Sequence, residues 1–407
     1  VSEAARIVVI GGGAVGCGVA FQLAEAGITD VLVLEREPQL CAVTSAQAAG
    51  LVGQVRTTVE RTRLAMWSVA TFDRLEREGE VRPGWRRTGS LRLAQTPERV
   101  AEFARLLAVA EEAGLEAELI DAAAARRLWP GLDFTAAQAI LWCPSDGYLQ
   151  PADLVASYRH HAGRLGVRFR TGVRVTGIRL AQGRVAAVAT DQGDIACETA
   201  INAAGAHGWH VGRLVGLELP VFPVRHHYVI TTPTDWIRPE MPCLRVPDAT
   251  LYGRADVNGL LLGGWEPHGL SLDPRSYALA GQPPPIEQDW PVLAGFMEQF
   301  RPFAGALADQ PVRHTFTGWP TFTPDGRFII GESSAVPGFV CAAGCNAHGV
   351  SGSAGIGRHL VEAMTEKDPS PYVRSLSPDR FAGSVGDWGE AERQARHVLE
   401  TYYHIGH

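Results

Sequence analysis

The chain has 407 residues, 46% hydrophobic and 20% charged, enough apolar material for a large core spread over two intimately connected domains. Its formal charge of −7 carries no basic excess, which removes electrostatic support for a nucleic-acid or anionic-membrane partner. No apolar run approaches the ~20 residues of a membrane span, and the seven cysteines form an odd, scattered set, so the expectation is a cytoplasmic protein with reduced thiols.

The first apolar run, Arg6-Ile-Val-Val-Ile10, leads straight into Gly11-Gly12-Gly13-Ala14-Val15-Gly16 and a helix pattern, so it reads as a strand and not as a signal peptide. A second strand, Val31-Leu-Val-Leu34, ends in Glu35. This order predicts a dinucleotide-binding βαβ unit. Gly11 makes the tight turn, Gly13 lets backbone approach a pyrophosphate, and Gly16 lets the helix lie close on the sheet. The helix N-terminus then faces the anion, and Glu35 accepts from a ribose hydroxyl.

Residues 85–148 carry amphipathic helix patterns at 96–113 and 122–128. Residues 166–205 read as strands at 167–170, 173–180, 185–190 and 195–204, with turns at Gln182-Gly183 and Gln192-Gly193, a small meander feeding a buried strand that returns to the first sheet. Residues 216–318 hold strand-like runs at 223–231 and 259–263, with surface loops predicted at 236–242 and 281–285. A third return, Gly338-Phe-Val-Cys-Ala-Ala-Gly344, opens into Cys345-Asn-Ala-His-Gly349 and a helix over 353–364, whose N-terminus would stabilise negative charge on a reduced flavin ring. Cys341 and Cys345 lack a second pair and are not read as a metal site. Together these returns divide the chain into a nucleotide-binding part (1–84, 149–215 and 319–387), a covering part (85–148 and 216–318) and a C-terminal tail (388–407).

Several stretches carry a resemblance over nearly the full length: Ala48-Ala-Gly-Leu51, Thr88-Gly-Ser-Leu-Arg92 with Thr96-Pro97, residues 144–151, Asn202-Ala-Ala-Gly205, Pro223-Val-Arg-His-His-Tyr228, Pro324-Asp325 and Tyr402-Tyr-His-Ile405. On these the chain resembles the FAD-dependent amine oxidoreductases that include dimethylglycine and sarcosine dehydrogenases, monomeric sarcosine oxidase and glycine oxidase. The resemblance implies an α/β fold, α+β overall. It has a discontinuous Rossmann-like FAD-binding domain and a second, mixed-sheet substrate domain, as in the D-amino-acid-oxidase-like group. It implies FAD bound by Gly11, Gly13, Ala14, Val15, Gly16, Glu35 and Arg36, then by Ser45, Gln47, Ala49, Gly50 and Leu51. Further contacts are expected from Val173, Ala203, Ala204 and Gly205, and from Gly318, Gly344, Asn346, His348, Gly349, Val350 and Ser351.

Departures from the family pattern carry expectations too. Gln47 stands where the dehydrogenases have a histidine bonded to the flavin, and Gly318 where monomeric sarcosine oxidase has the anchoring cysteine, so FAD is expected without a covalent bond. The chain ends at His407 without the folate-binding domain of the larger relatives, so formaldehyde would be released. Leu261 replaces a lysine that promotes reaction with oxygen, and Ser351 one that holds a substrate carboxylate, which leaves the electron acceptor open between oxygen and an electron-transfer protein.

The implied substrate is a small-molecule secondary or tertiary, N-methyl amine or amino acid, with room for a bulkier N-methylated amine where the carboxylate lysine is missing. It is oxidised by hydride transfer to flavin N5, giving an imine that water cleaves to an aldehyde and the dealkylated amine. Oxidation of a primary or cyclic amino acid, or a role as the flavin-holding subunit of a hetero-oligomer, are the alternatives. Presenting the free base of an amine with a lysine-like pKa costs about 4 kcal/mol at pH 7, and an ammonium cannot give up hydride. The resemblance assigns that task to His226 and Tyr252 as catalytic and substrate-binding residues, places His348 beside the flavin as a third catalytic residue, and offers Arg56 for a substrate carboxylate. His227, next along the strand, points to the opposite face.

Overall fold

The computed structural model describes residues 4–383 and 385–405; the outermost residues of the first and last segments predicted above, 1–3 and 406–407, lie outside it. Strands Ile329–Glu332, Phe339–Ala343, Thr199–Asn202, Ile7–Ile10, Val31–Leu34 and Arg168–Arg170 lie side by side in that order. Ile7–Ile10 pairs in parallel with both Val31–Leu34 and Thr199–Asn202, and only the edge strand Ile329–Glu332 runs antiparallel. All four residues of each of the three central strands except Thr199 are buried, as expected of parallel strands covered on both faces.

The glycines explain why strands so far apart in sequence converge. Gly11 has φ +115°, and a Cβ on it would stand 2.4 Å from the carbonyl oxygen of Ala203, just past the end of Thr199–Asn202. A Cβ on Gly16 would stand 1.9 Å from Gly11 O, so the helix Ala14–Glu25 closes tightly on its own strand. That helix crosses Ser353–Thr365 with backbones nearly in contact: a Cβ on Gly18 would meet Ser353 O at 2.9 Å, and one on Gly357 would meet Gly18 O at 2.8 Å. Loop 344–352 is thereby brought to the first turn of Ala14–Glu25.

The meander forms its own antiparallel sheet of Val175–Ala181, Arg184–Thr190 and Gly193–Ala196. The stretch 195–204, read from sequence as one strand, is two: the chain leaves the small sheet after Ala196 and enters the large one at Thr199, because its pairing partners belong to different sheets. The turn at Gln182-Gly183 has φ of +52° and +77°, the left-handed pair that a tight hairpin demands.

The covering layer is an eight-stranded mixed sheet in the order Val312–Gly318, His226–Thr231, Gly259–Gly264, Leu251–Asp256, Cys243–Val246, Ser90–Ala94, Ala139–Cys143 and Glu118–Ile120. The two segments 85–148 and 216–318 meet where Cys243–Val246 pairs in parallel with Ser90–Ala94. Helix Pro97–Ala113 starts where Thr96 accepts from Arg99 N and stops at Gly114 with φ +82°. Helix Trp290–Phe300 buries Leu293, Phe296, Met297 and Phe300 in one core cluster with the sheet. Residues 236–242 form a loop, as read from sequence, but an anchored one: Arg238 and Glu240 are exposed while Ile237 and Met241 fill the same core. Residues 388–405 are packed rather than trailing: helix Trp388–Glu400 buries Ala391, Ala395 and Leu399, and Tyr403 follows it inward.

The helix crossing at Gly18 yields the first prediction. Gly18→Val drives a branched side chain into Ser353 O, and overpacking of this kind costs about 1–3 kcal/mol. Urea unfolding should show that loss together with weaker FAD retention, and unchanged stability would refute the close crossing.

Candidate active site

Above the C-terminal ends of the parallel strands lies an open cleft with about 1350 Å³ of empty space. The structure brings Gly11, Gly13, Val15, Glu35, Arg36, Ser45, Val173, Ala203, Ala204, Gly205, Gly349 and Val350 together along it. Cys41, Val43, Thr44 and Trp319 also line it and carry no motif that would have marked them; Ala48 and Ala347 line it too, and lie inside stretches singled out in the sequence without being assigned a contact. Three observations test the cleft against FAD. Helix Ala14–Glu25 points its N-terminus into it, with Gly13 at the cap, no side-chain cap bond and no acid in the first turn, so the dipole is left for an anion. Glu35 stays ordered at the rim, one oxygen accepting from Gly12 N at 2.8 Å and the other from Glu37 N at 2.9 Å, with lone pairs left for a ribose. Beyond them the lining is mainly apolar, as a ring system needs. The residues fit the group.

Other expected cofactor residues serve the frame of the cleft. Ala14 and Gly16 are buried in the helix–strand contact, with Ala14 N donating to Ser45 Oγ at 3.0 Å. Gly50 has φ +72° and lies against Leu149 O, and Gly344 lies against Thr323. The Asn346 side chain is turned away into its own loop, donating to Gly344 O at 2.7 Å and accepting from Thr323 N at 3.1 Å. Helix Ser353–Thr365 does not offer its first turn to the cleft, because Gly355 N donates to Ser68 Oγ; the preceding loop supplies the lining instead. The Ala49 carbonyl is pinned by Arg254 Nε at 2.7 Å, so the covering sheet holds the loop that carries Gln47 and Ala49. Gln47 and Gly318 are neighbours: a Cβ on Gly318 would stand 2.8 Å from Gln47 Oε1.

The predicted surface loop around 281–285 is a strap across the cleft. Leu279 and Pro283 line it. Arg36 donates to Gly281 O at 2.7 Å and to Gln282 Oε1, Gln282 donates to Glu37, and Trp319 Nε1 donates to Pro284 O at 2.9 Å. Arg36 thus reaches the cleft with its guanidinium engaged by the strap.

The covering sheet carries an aromatic stack. His226 Nε2 and Tyr252 Oη share a 2.7 Å hydrogen bond. Trp265 is sandwiched between the His226 ring (4.6 Å between centroids) and the Tyr402 ring (3.7 Å, 10° between planes). Tyr402 Oη donates to His348 Nε2 at 3.0 Å, while His348 Nδ1 donates to Asn346 O at 2.7 Å, an arrangement that fixes one neutral tautomer. Gly263 leaves room for this, since a Cβ there would collide with the Tyr252 ring. His226 and Tyr252 line neither large cavity; their cluster reaches the cleft through Ala347 and a second cavity through Tyr402. That second cavity also holds Arg56 and His348, and Ser351 shares a smaller one with both. Trp265, Tyr402 and Tyr403 had no assigned role in the sequence, because aromatic residues scattered over 138 positions have no local period to reveal them.

Burial dominates the protonation states. It lowers His226 to about 3, helped by neighbouring His227, and holds His348 well below its ordinary value, with Arg56 and Arg61 adding repulsion. Tyr252 is pushed well above its ordinary value by the same desolvation. His227, on the opposite face, lies edge-on to Phe296 and falls to about 4. Neutral imidazole and neutral phenol are therefore the resting forms beside the stack.

A family model described as DAO, FAD dependent oxidoreductase, matches residues 6–363. Over 403 residues the chain is 30% identical to 4-methylaminobutanoate oxidase (formaldehyde-forming) of Paenarthrobacter nicotinovorans, an alignment covering 98% of this chain and 48% of that protein. It is 30% identical over 404 residues to the mitochondrial sarcosine dehydrogenase of Mus musculus, covering 98% and 43% respectively. The chain thus spans about half the length of the curated relatives it matches. The solved structure of L-proline dehydrogenase from P. horikoshii shares the fold, with a TM-score of 0.84 at 24% identity over 94% of this chain and 99% of that one.

The buried imidazoles set a pH dependence of stability. His207 and His226 fall to about 3 and His227 to about 4, all through burial, so below their unfolded value near 6.5 the unfolded chain takes up protons that the folded one refuses. Their neutral packing is fully effective above pH 6.5 and is lost as pH falls toward 4. Each contributes a slope of up to about 1.4 kcal/mol per pH unit. Urea unfolding at pH 7.5, 6 and 5 should show a steady decline, and a flat profile would contradict the burial of these rings.

Proposed function

This chain belongs to the DAO family of FAD dependent oxidoreductases, and from that premise we propose that it oxidises a secondary or tertiary, N-methylated amine to an imine, which water cleaves to formaldehyde and the dealkylated amine. The observation that carries the reading is the neutral aromatic–imidazole stack joined to the cavity that holds Arg56 and His348. The names of the relatives support it, one being formaldehyde-forming and the other acting on sarcosine.

Bound FAD supplies the two-electron acceptor. The chain's part is to present a free amine and keep water away. Guanidiniums near the amine disfavour its protonated form, and the desolvated stack does the same, so together they offset the cost of deprotonation. In this reading His226, half-buried and hydrogen-bonded to the buried Tyr252, is the member of the pair that meets the amine nitrogen, and neither takes a lasting charge, because neither titrates near neutrality. As the C–H bond breaks, its electron pair leaves as hydride and the nitrogen lone pair forms the C=N bond. Arg56 is the residue for a substrate carboxylate.

FAD is held without a covalent bond in this reading. Gln47 and Gly318, the two positions at which relatives attach the flavin, touch each other and offer neither imidazole nor thiol. Retention falls instead to the strap 279–285 and the glycine turns. Residues 1–84, 149–215 and 319–387 form the FAD-binding part, with 85–148 and 216–318 over it. The seven unpaired cysteines suit the cytoplasm, and oxygen or an electron-transfer protein takes the electrons onward.

Acid precipitation should leave a colourless pellet and a yellow supernatant, and a yellow pellet would refute the untethered cofactor. The purified protein should be bleached anaerobically by an N-methyl amine and release formaldehyde. Tyr252→Phe should slow that bleaching about 10²-fold, the usual scale for losing a proton-managing group. Turnover of an N-methyl amine without formaldehyde would overturn the demethylation.

A further inference from the structure

The second cavity has about 1270 Å³ of empty space and is walled in part by Arg56, Arg92, Arg245, His348, Tyr402 and Tyr403. Its charge is unusual. Arg56 Nη1 and Arg92 Nη2 both donate to the same carbonyl, that of Val55, at 3.0 and 3.5 Å, so two guanidiniums lie side by side. Arg245 donates to Tyr403 Oη at 3.1 Å. Among the described residues none of the three has an ion-pair partner. The two acids whose charge reaches them are already engaged: Asp146 accepts from Gln54 N, Gln54 Nε2 and Ser90 Oγ, and Glu102 pairs with Arg99 at 2.6 Å. Arg99 in turn pairs with Asp248. Burial and mutual repulsion lower both Arg56, to about 10, and Arg92.

Three guanidiniums without ion pairs facing one partly open space raise the energy of the empty site, and an anion lowers it. The planar fork of each guanidinium suits a carboxylate held by two parallel bonds. One carboxylate answers one charge and leaves two. The trio is also divided in space: Arg56 and His348 line a smaller cavity as well as this one, whereas Arg92 and Arg245 line only the larger. Arg92 lies in the Thr88-Gly-Ser-Leu-Arg92 stretch, and Arg245 is opposite it in the paired strand, where residues 245 and 92 are in register.

We propose that this cavity takes an amine bearing two separated carboxylates, an N-alkylated amino dicarboxylic acid, with one carboxylate at Arg56 beside His348 and the second between Arg92 and Arg245. The inference rests on the amine-oxidation reading and narrows its substrate class. Arg92 and Arg245 are specificity residues in this assignment, acting on the substrate end remote from the oxidised C–N bond.

The test is an anaerobic titration of the FAD-loaded protein with matched amines: N-methylglutamate and N-methylaspartate against N-methylalanine and N-methylpropylamine. The dicarboxylic amines should half-saturate flavin bleaching at concentrations about tenfold or more below the monocarboxylic one, the scale of one charge-assisted bidentate contact. Arg92→Gln and Arg245→Gln should collapse that preference toward one, and Arg92→Lys should restore part of it. A second measurement needs no variant: glutarate should compete with bleaching about tenfold more strongly than butyrate, with high salt weakening the difference. Equal half-saturation by mono- and dicarboxylic amines, or equal competition by glutarate and butyrate, overturns the inference and leaves amine oxidation standing. Failure of every N-alkyl amine to bleach the flavin overturns the underlying reading and this inference with it.

Discussion

The close approach of backbone to backbone around the first glycine turn is the constraint on which the rest of the structure depends. Ala203 O, Gly11 and Gly16 occupy a space that admits no Cβ, and Gly18 and Gly357 repeat the arrangement one layer away. These contacts draw Thr199–Asn202 against the first strand and Ser353–Thr365 against the first helix, so three loops from distant parts of the chain form one rim. Side chains at these points would separate the elements and open the cleft. The free helix N-terminus at Gly13 works at short range only, so its value for an anion also depends on this packing.

The covering sheet works by a different physical rule. Its core is apolar, yet it carries the hydrogen-bonded His226–Tyr252 pair, whose imidazole and phenol desolvation keeps uncharged. Desolvation sets these states more than any single neighbour does. Against that neutral stack stand Arg56, Arg92 and Arg245, which have no ion pair among the described residues because the nearby Glu102 and Asp146 are engaged elsewhere. A neutral hydrogen-bonding surface next to a positive one favours a free amine at one end of a ligand and an anion at the other. Glu266, which pairs with Arg225, lies 3.7 Å from His227, and Asp289 pairs with the same arginine, so the cation next to His226 in sequence is compensated.

Much of the fold was legible because its signals are local. Buried parallel strands read as unbroken apolar runs, the hairpin turns as Gln-Gly pairs, and the helices as 3.6-residue patterns with Thr or Asp caps. The misreadings arose where a partner elsewhere decides the outcome. Residues 195–204 look like one strand, yet two sheets claim its halves. Ile237 and Met241 sit in a loop, as the prolines and charges around them suggest, but helix Trp290–Phe300 and the sheet enclose them.

The sequence by itself determined the glycine turns, the order of strands and helices, and the absence of an imidazole or thiol at Gln47 and Gly318, because each depends on a residue's own backbone or chemistry. Only the tertiary structure decided that Arg36 turns to the strap, that Asn346 braces its own loop, and that Trp265 and Tyr402 stack between His226 and His348. It alone placed Arg56, Arg92 and Arg245 around one space. Such convergences arise from strand register and helix crossing between segments far apart in the chain, and no short-range pattern encodes them.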